Sequence, residues 1–247
     1  MQQRRIDHGV TDSTNERALE ALERGEARQG DVHVASAQTR GRGSRGRSWL
    51  DAPGESLLFS VVHFASPPAP PMPALTMATG LAVRDAVRAL GLERAALKWP
   101  NDVVVRGAKL CGILVETRGF DPLRPAFVIG VGLNVRQRAF PPELVALARP
   151  TSLALESVDV SLDEALDAVL ANLAARLEQA ERSTDALARE YLRAAGLEGA
   201  RVTVRSGKGE VQGALVALEF STGLTVRTDA GALSTAAIEH VRELTRD

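Results

Sequence analysis

Apolar residues recur at helical spacing in several stretches of the chain. In the longest stretch, Ser161 and Glu164 have the spacing of a capping box, and leucine and valine residues follow on one face. Near the start of the chain Ser13 and Glu16 have the same spacing, and Gly25 can take the left-handed conformation that ends a helix. The predicted helices cover residues 12–25, 74–91, 161–182 and 185–195.

Shorter apolar runs, bounded by glycine, proline and polar residues, predict β-strands. Residues 56–64 are apolar almost throughout, which indicates a strand buried on both faces. Residues 65–74 (ASPPAPPMPA) are predicted to form an irregular connection, because proline lacks the amide donor that regular structure needs. Further strands are predicted over residues 31–39, 95–105, 109–117 and 126–135.

From Gly199 onwards the chain consists of five short strand-like runs separated by the turns SGKG, STG and DAG. This spacing is typical of a small all-β barrel or sandwich. The order of the elements therefore predicts an α/β or α+β domain over residues 1–197. A small β domain is predicted to follow in residues 198–247.

Composition narrows the class of protein. The chain has 247 residues, of which 45% are hydrophobic and 25% charged, and a net charge of −1, which argues against a protein that coats nucleic acid or an anionic membrane. A single cysteine and four scattered histidines do not make a disulfide framework or a metal site. The first residues lack the apolar core of a signal peptide, and no apolar run approaches the ~20 residues that span a bilayer, so a cytoplasmic protein is expected.

Positive charge is nevertheless concentrated in one glycine-rich segment, GRGSRGR at residues 41–47. With Arg40 it holds four arginines in eight residues and no carboxylate. Glycine allows a ligand to approach the backbone closely, and arginine presents a fork of donors to carboxylate or phosphate. By itself the segment fits a small-anion site, a solvated basic loop or a nucleic-acid contact, and these three interpretations stay open.

A second candidate site lies in KWPNDVVVRGAKLCGILVE, residues 98–116. If the chain turns tightly at Arg106–Gly107, Val104 faces Lys109 and Asp102 faces Cys111, so that Asp102 and Lys109 become diagonal neighbours within side-chain reach. Lys98 lies four residues before Asp102, so in an extended chain its side chain points to the same face. The alternative is a surface ion pair on a hairpin, and Trp99 and Asn101 could be a core and a turn residue. The opposite, packed face is predicted to hold Val103, Val105, Leu110 and Leu114.

A third candidate is VIGVGLNV, residues 128–135. Gly130 and Gly132 interrupt a strand, where glycine removes packing and costs entropy, which suggests that another group approaches the backbone there. Asn134 follows and can both donate and accept hydrogen bonds. The segment is not the dinucleotide fingerprint GxGxxG, because Val135 stands in place of a residue of that pattern and no helix follows the strand directly.

Taken together and in this order, DSTN, QTRGRGSRGRSW, KWPND, KLCGILVE and GVGLN resemble biotin protein ligases over residues 11–135. The occurrence of KWPND together with KxxGILVE, which begins seven residues after the aspartate of the first motif, is specific to this family. The resemblance implies an α+β fold with a mixed β-sheet flanked by helices, as in class II aminoacyl-tRNA synthetases, followed by a small SH3-like β-barrel. It also implies the monofunctional form, because the helix-turn-helix domain of some members has no room before Ser13, and hence no operator binding.

The resemblance implies that the biotin carboxylate attacks the α-phosphate of ATP, with Mg²⁺ on the triphosphate and with ligands that the sequence does not assign. A lysine of a biotin carboxyl carrier domain then takes the biotinyl group from biotinyl-5′-AMP. The residues implied as catalytic are Lys98, Asp102, Lys109 and Arg42. Those implied to bind biotin are Ser13, Thr14, Asn15, Gln38, Gly41, Arg42, Lys109 and Gly112. Those implied to bind the nucleotide are Arg45, Arg47, Trp49, Asn101 and Asn134.

The sequence departs from the family pattern at two places. Ser44 stands where the loop commonly has an arginine that helps to retain the adenylate, and Asp51–Ala52 replace the usual Ser-Pro. The competing interpretations are a lipoate or octanoate ligase of related fold, and a biotin- or nucleotide-binding module that has lost turnover. The sequence leaves open whether the protein is a monomer or a homodimer.

Overall fold

The computed structural model describes residues 4–50, 53–207 and 209–246. The helices are α1 (Thr14–Glu23), α2 (Met72–Ala89), α3 (Pro142–Ala148), α4 (Leu162–Arg182) and α5 (Thr184–Ala194). The strands of the first part are β1 (Arg5–Asp7), β2 (Val10–Thr11), β3 (Val32–Ala35), β4 (Ala37–Gln38), β5 (Ser56–Phe64), β6 (Ala95–Lys98), β7 (Asp102–Val105), β8 (Ala108–Glu116) and β9 (Ala126–Asn134). The C-terminal strands are β10 (Arg201–Ser206), β11 (Gly209–Glu219), β12 (Gly223–Arg227), β13 (Leu233–Ala236) and β14 (Val241–Arg246).

The first part is built on a seven-stranded sheet with the order β1-β3-β5-β9-β8-β7-β6. β1 and β3 run parallel and the other neighbours antiparallel, so the predicted mixed sheet is confirmed. β5 and β9 lie at its centre and pair along their whole length, from Ser56 opposite Asn134 to Phe64 opposite Ala126. All of β5 except Phe64 is buried, as the apolar run predicted.

Helices cover the two faces of this sheet unequally. Alternation along β5 points Val61 into the large core with α2, α4 and α5, and points Val62 to the other face, where it packs with Ala18 and Leu19 of α1. On α4 the capping box of Ser161 and Glu164 forms as predicted, and the predicted apolar face is packed into the core. We call residues 40–49 the Gly/Arg loop. It lies on the same face of the sheet as α1, because Asn15 of α1 and Trp49 of the loop contact Gly130 and Gly132 of β9.

The capping box predicted at α1 is wrong. Ser13 occupies the N-cap position, but its side chain makes no capping hydrogen bond. The partner carboxylate is engaged elsewhere, because Glu16 forms ion pairs with Arg42 at 3.3 Å and with Arg118 at 3.0 Å. The hydroxyl of Ser13 instead lies at the wall of a pocket.

The boundaries of three elements differ from the predictions, one at a proline-rich segment and two where a single predicted strand is divided into two strands. α2 begins inside the proline-rich segment, since Pro73 in the first helical turn needs no amide donor. The strand predicted over residues 31–39 is two strands, β3 and β4, in different sheets, and the one predicted over residues 95–105 is a hairpin of β6 and β7. No element was predicted for β1, β2 and α3.

The five predicted C-terminal strands are confirmed and form an antiparallel sheet with the order β13-β12-β11-β10-β14. The pairing skips Arg242 of β14 and Val216 of β11, which indicates one bulge in each of these strands. Within the described residues no ladder joins the outer strands β13 and β14. Leu215 and Leu224 of this sheet belong to the same apolar core as the helices, and the boundary at 197/198 stays a prediction. Over the ranges that the structure describes, no helix is long and apolar enough to cross a membrane.

Candidate active site

A pocket of about 340 Å³ opens between α1, the Gly/Arg loop and the strands β8 and β9. This volume lies within the range of small-molecule sites, about 300–1,000 Å³. The three sequence segments singled out above all contribute to it, although they are far apart in the chain. The predicted site residues that line it are Ser13, Thr14, Asn15, Gln38, Arg42, Arg47, Trp49, Asn101, Lys109, Gly112 and Asn134.

The floor of the pocket consists of glycines on two neighbouring strands. Gly112 of β8 lies directly opposite Gly132 of β9. The ring of Trp49 rests on this pair, because a β-carbon on Gly132 would lie 2.6 Å from Cε2 of Trp49 and one on Gly112 would lie 2.9 Å from Cζ3. One step along the strands, a β-carbon on Gly130 would lie 2.1 Å from Oδ1 of Asn15. The groups that approach the backbone at these glycines are therefore side chains of the loop and of α1.

A cluster of polar side chains closes the pocket at the Gly130 end. The hydroxyl oxygen of Ser60 lies 2.7 Å from that of Thr14 and 2.5 Å from Oδ1 of Asn15. The backbone N–H of Thr14 donates to Oε1 of Gln38 at 2.7 Å, and Nδ2 of Asn15 donates to Glu116 at 2.7 Å. We call these residues the polar cluster: Thr14, Asn15, Gln38, Ser60 and Glu116.

Sequence reasoning missed two members of this cluster. Ser60 is fully buried near the middle of the mostly apolar strand β5, and a hydroxyl at such a position, which needs a hydrogen-bond partner, was the available signal. Glu116 closes the motif KLCGILVE but was given no role. It lies between Asn15 and Arg42, accepting hydrogen bonds from both.

Lys109 and Asp102 meet as predicted, with 2.7 Å between Nζ and Oδ1. The turn at Arg106–Gly107 and the pairing of Val104 with Lys109 are also as predicted. The pairing of Asp102 with Cys111 is wrong, since a bulge after Val103 places Asp102 opposite Gly112. With no side chain at Gly112, Nζ of Lys109 passes 3.1 Å from where a β-carbon would stand.

The same bulge changes which residues of β8 face the core. Leu110 and Cys111 are both fully buried, and Ile113 follows them into the core. Leu114, predicted on the packed face, instead lines the pocket, so that prediction is wrong. Burial raises the pKa of the Cys111 thiol far above its usual range, which leaves it an inert core group.

Lys98 lies outside the pocket. It is paired with Asp102 across the β6–β7 ladder, but its side chain is exposed and lines a neighbouring cleft toward β10 and β14. The Nδ2 groups of the two asparagines donate to backbone carbonyls, that of Asn101 to Ile113 at 2.9 Å and that of Asn134 to Thr151 at 2.9 Å. Both asparagines therefore brace the strands beneath the site and line it at the same time.

The Gly/Arg loop folds back on itself above the pocket. Trp49 N–H donates to the carbonyl of Gly41 at 2.9 Å, and residues 44–46 form a single 3₁₀ turn at the tip. The guanidinium of Arg42 donates to Glu116 at 2.8 Å and lies 3.3 Å from Glu16. Arg47 donates to the hydroxyl of Ser44 at 3.1 Å.

The remaining loop arginines also contact protein oxygens. Arg40 pairs with Asp12 at 3.1 Å, and Arg45 reaches backbone carbonyls at the start of β14. Much of the positive charge that the sequence suggested for an anion is thus partnered by the protein itself. The Asp51–Ala52 departure lies outside the described residues.

A model of the biotin/lipoate A/B protein ligase family matches residues 9–134, about half of the chain. The chain belongs to this family. The match contains the Gly/Arg loop, the Lys109–Asp102 pair, all five motifs and most of the residues that line the pocket.

Individual members of the family extend the match. The bifunctional ligase/repressor BirA of Salmonella typhimurium is 38% identical over 130 residues, 52% of this chain and 40% of that protein, so the matched region spans less than half of that relative. The biotin–[acetyl-CoA-carboxylase] ligase of Mycobacterium tuberculosis is 35% identical over 204 residues, 81% of this chain and 74% of the relative. A biotin protein ligase from Aquifex aeolicus, solved in complex with biotin and ATP, has a TM-score of 0.80 at 29% identity and covers 99% of both chains.

No metal-binding cluster accompanies the ligase pocket within residues 4–50, 53–207 and 209–246, since no three His, Cys, Asp or Glu side chains there are grouped to hold an ion. Away from the pocket, His33 stacks on His8 with 5.2 Å between ring centroids. Burial, together with the charge on His8, lowers the pKa of His33 to about 4.

Proposed function

We propose that this chain is an ATP-dependent biotin protein ligase, which activates biotin as biotinyl-5′-AMP and transfers it to a lysine of a biotin carboxyl carrier domain. The observation that carries the proposal is the arrangement of one pocket: a polar cluster at one end, a glycine floor in the middle and the Lys109–Asp102 pair beyond it. The names of the relatives from M. tuberculosis and A. aeolicus support the same activity. ATP is supplied in the cytoplasm, where we place the enzyme.

The polar cluster favours biotin over lipoate or octanoate. The ureido ring of biotin presents N–H donors and a carbonyl acceptor, whereas an alkyl or dithiolane tail presents neither. Ser13, whose hydroxyl is not used for capping, and the amide of Gln38 lie at this end of the pocket. A ligand that cannot hydrogen-bond to such groups still displaces the water around them, so an apolar tail binds there less favourably than the ureido ring.

The first half-reaction joins two anions. A carboxylate oxygen of biotin attacks the α-phosphorus of ATP, the bond from that phosphorus to the bridging oxygen breaks, and pyrophosphate leaves with the electron pair. Lys109 supplies fixed positive charge beside the floor, where negative charge develops. Mg²⁺ on the triphosphate lowers its charge. For Arg42 to reach the carboxylate or phosphate, as the family resemblance implies, its guanidinium has to leave Glu116 and Glu16.

In the second half-reaction the ε-amine of the carrier lysine attacks the acyl carbon of the adenylate. An amide bond forms, the bond to the phosphate oxygen breaks, AMP leaves and the amine loses a proton. Asp102 is placed to orient or deprotonate that amine, since it lies beside Lys109 at the junction of the pocket and the cleft. Lys98, exposed in the cleft opposite Asp102, is assigned to the same step.

Trp49, Asn101, Asn134 and Arg47 are assigned to the nucleotide. Trp49 rests one face on the glycine floor, which leaves the other face to stack on adenine. Asn101 and Asn134 each use Nδ2 on the backbone, so their carbonyl oxygens are the groups left for donors of the nucleotide.

The proposal is tested by isotope exchange. Purified protein with Mg²⁺ is expected to exchange labelled pyrophosphate into ATP when biotin is added and not when lipoate or octanoate is added. Exchange with lipoate or octanoate alone would identify the other ligase type. Binding of biotin without exchange would identify a module without turnover, and either result would refute the proposal.

The role of Lys109 is tested by Lys109→Met, which keeps the stem over Gly112 and removes the charge. We expect the exchange rate to fall about 10²–10³-fold, the loss typical of removing one electrostatic contact to a transition state. Arg24→Met removes the same charge at the exposed end of α1 and should leave the rate unchanged. A Lys109→Met protein that is folded and exchanges at the wild-type rate would contradict the assignment.

A further inference from the structure

The tip of the Gly/Arg loop carries an arginine in an uncommon backbone conformation. Arg45 has φ 59° and ψ 38°, the left-handed region that residues other than glycine seldom occupy. Such a conformation persists where surrounding contacts hold it. The residue lies in the 3₁₀ turn of residues 44–46, between Ser44 and Gly46. Contacts of its side chain therefore fix the position of the loop tip relative to the pocket.

The contacts that hold Arg45 come from the other end of the chain. Its Nη2 donates to the carbonyl oxygen of Val241 at 2.7 Å, and its Nη1 donates to the carbonyl oxygen of Arg242. These two residues begin β14, which is an edge strand of the C-terminal sheet. One guanidinium fork thus ties the tip of the loop to the backbone of a strand that lies 196 residues later.

From this geometry we propose that Arg45 is a positioning residue: it fastens the Gly/Arg loop to the C-terminal sheet and thereby slows escape of the adenylate. The inference rests on the proposed ligase function for its consequence, but the contact itself does not. It differs from the role that the family resemblance implies for this position, a contact to the nucleotide, because both terminal nitrogens of the guanidinium donate to protein carbonyls.

The neighbouring residues show how the fastening reaches the site. Nδ2 of Asn101 lies 3.3 Å from the hydroxyl of Ser44, next to Arg45, and Arg47 donates to the same hydroxyl at 3.1 Å. Asn101 directly precedes Asp102, whose carboxylate holds Lys109. A tip that lifts away from β14 would therefore also withdraw Ser44 and Arg47 from the mouth of the pocket.

The test is hydrogen–deuterium exchange on the full chain without added biotin or ATP. Arg45→Ala should raise the exchange rate of amides in residues 41–49 and also in residues 241–246 by about tenfold, because hydrogen bonds from a charged donor are the strong ones. Arg24→Ala, an exposed arginine of α1 that pairs only weakly with Glu20 at 3.5 Å, is the matched control and should change neither segment. Unchanged exchange in residues 241–246 of Arg45→Ala would overturn the proposal.

Arg45→Lys separates positioning from ligand contact. Lysine keeps the charge for a phosphate but lacks the planar fork that spans two carbonyls, so it should share the raised exchange and release biotinyl-AMP about tenfold faster, with the KM for ATP unchanged. A normal release rate with a raised KM for ATP in Arg45→Ala, restored by Arg45→Lys, would identify a nucleotide ligand instead. If wild-type protein shows no biotin-dependent pyrophosphate exchange, the proposed function fails, and the deuterium result still decides the contact.

Discussion

Replacing Gly132 by alanine tests whether the glycine floor sets the position of Trp49. A β-carbon at this position would lie 2.6 Å from Cε2 and 2.8 Å from Cζ2 of the indole, whereas carbon atoms pack at about 3.5–4.0 Å. The indole therefore has to move by about 1 Å. Misplacement of a group by that distance at a reacting centre costs about 10²-fold in rate, so we expect a loss of this size in biotin-dependent pyrophosphate exchange.

Stability should change in the opposite direction or not at all. Gly132 lies in a strand and has no positive φ, and alanine in a regular element is favoured over glycine by about 0.5–1 kcal/mol. Trp49 belongs to a half-exposed loop and can yield without opening the core. We therefore expect a free energy of unfolding, measured by urea titration, that is equal to the wild-type value or slightly above it.

Two further alanine variants make the result decisive. Gly112→Ala would bring its β-carbon 2.9 Å from Cζ3 of Trp49 and 3.1 Å from Nζ of Lys109, so it should also lose activity, through the lysine as well as the indole. Gly207→Ala has no heavy atom within 4 Å of the new β-carbon and should behave as wild type. The reasoning is refuted if Gly132→Ala retains the wild-type exchange rate. A parallel loss of stability and activity would show instead that the strand, and not the loop, is disturbed.

Two other perturbations follow from the structure. The pKa of His33 in the folded protein is lowered to about 4, whereas that of a histidine in the unfolded chain is about 6.5. As pH falls, the unfolded state therefore binds the proton first. Up to about 3 kcal/mol of the free energy of unfolding is lost between pH 6.5 and 4. His33→Gln should flatten urea-measured stability over this range, whereas a similar pH dependence in His33→Gln and in the exposed-site control His240→Gln would contradict the assignment. Ser44→Arg should slow release of biotinyl-AMP and reduce non-specific lysine labelling about tenfold by adding a charged donor. An unchanged release rate would show that the other loop arginines already retain the adenylate.

The parts of the fold that the sequence predicted are those in which local pattern and tertiary packing agree. On α4 the capping box and the apolar face are both local, and both appear as expected. At α1 the same local signal fails, because Glu16 is drawn to Arg42 and Arg118, residues distant in sequence. The strands β2 and β4 have two residues each and are defined by their pairing with each other. Two residues are too few for an alternating pattern that would predict a strand.

The candidate site was predicted as a set of residues and not as a set of contacts. Charge and glycine content located the loop, because those properties are local. The oxygen that each arginine contacts depends on the positions of residues 116 and 241–242 in the folded protein. The sequence of the loop does not determine those positions. Ser60 was missed for the same reason, since its partners Thr14 and Asn15 belong to helix α1, 46 and 45 residues away in the chain.

The Lys109–Asp102 pair shows how a correct contact can follow from a register that is partly wrong. Strict alternation from the Arg106–Gly107 turn placed Asp102 opposite Cys111, but the bulge moves it opposite Gly112. The residue that the pairing skips is Leu110, since Val103 lies opposite Cys111 and Val104 opposite Lys109. Without the bulge, Gly112 would not lie beneath the lysine stem, and a side chain there would occupy the space through which Lys109 reaches the carboxylate. A regular ladder would also have made Asp102 and Lys109 diagonal neighbours, but the bulge places a glycine beside the lysine stem and so leaves the path between them open.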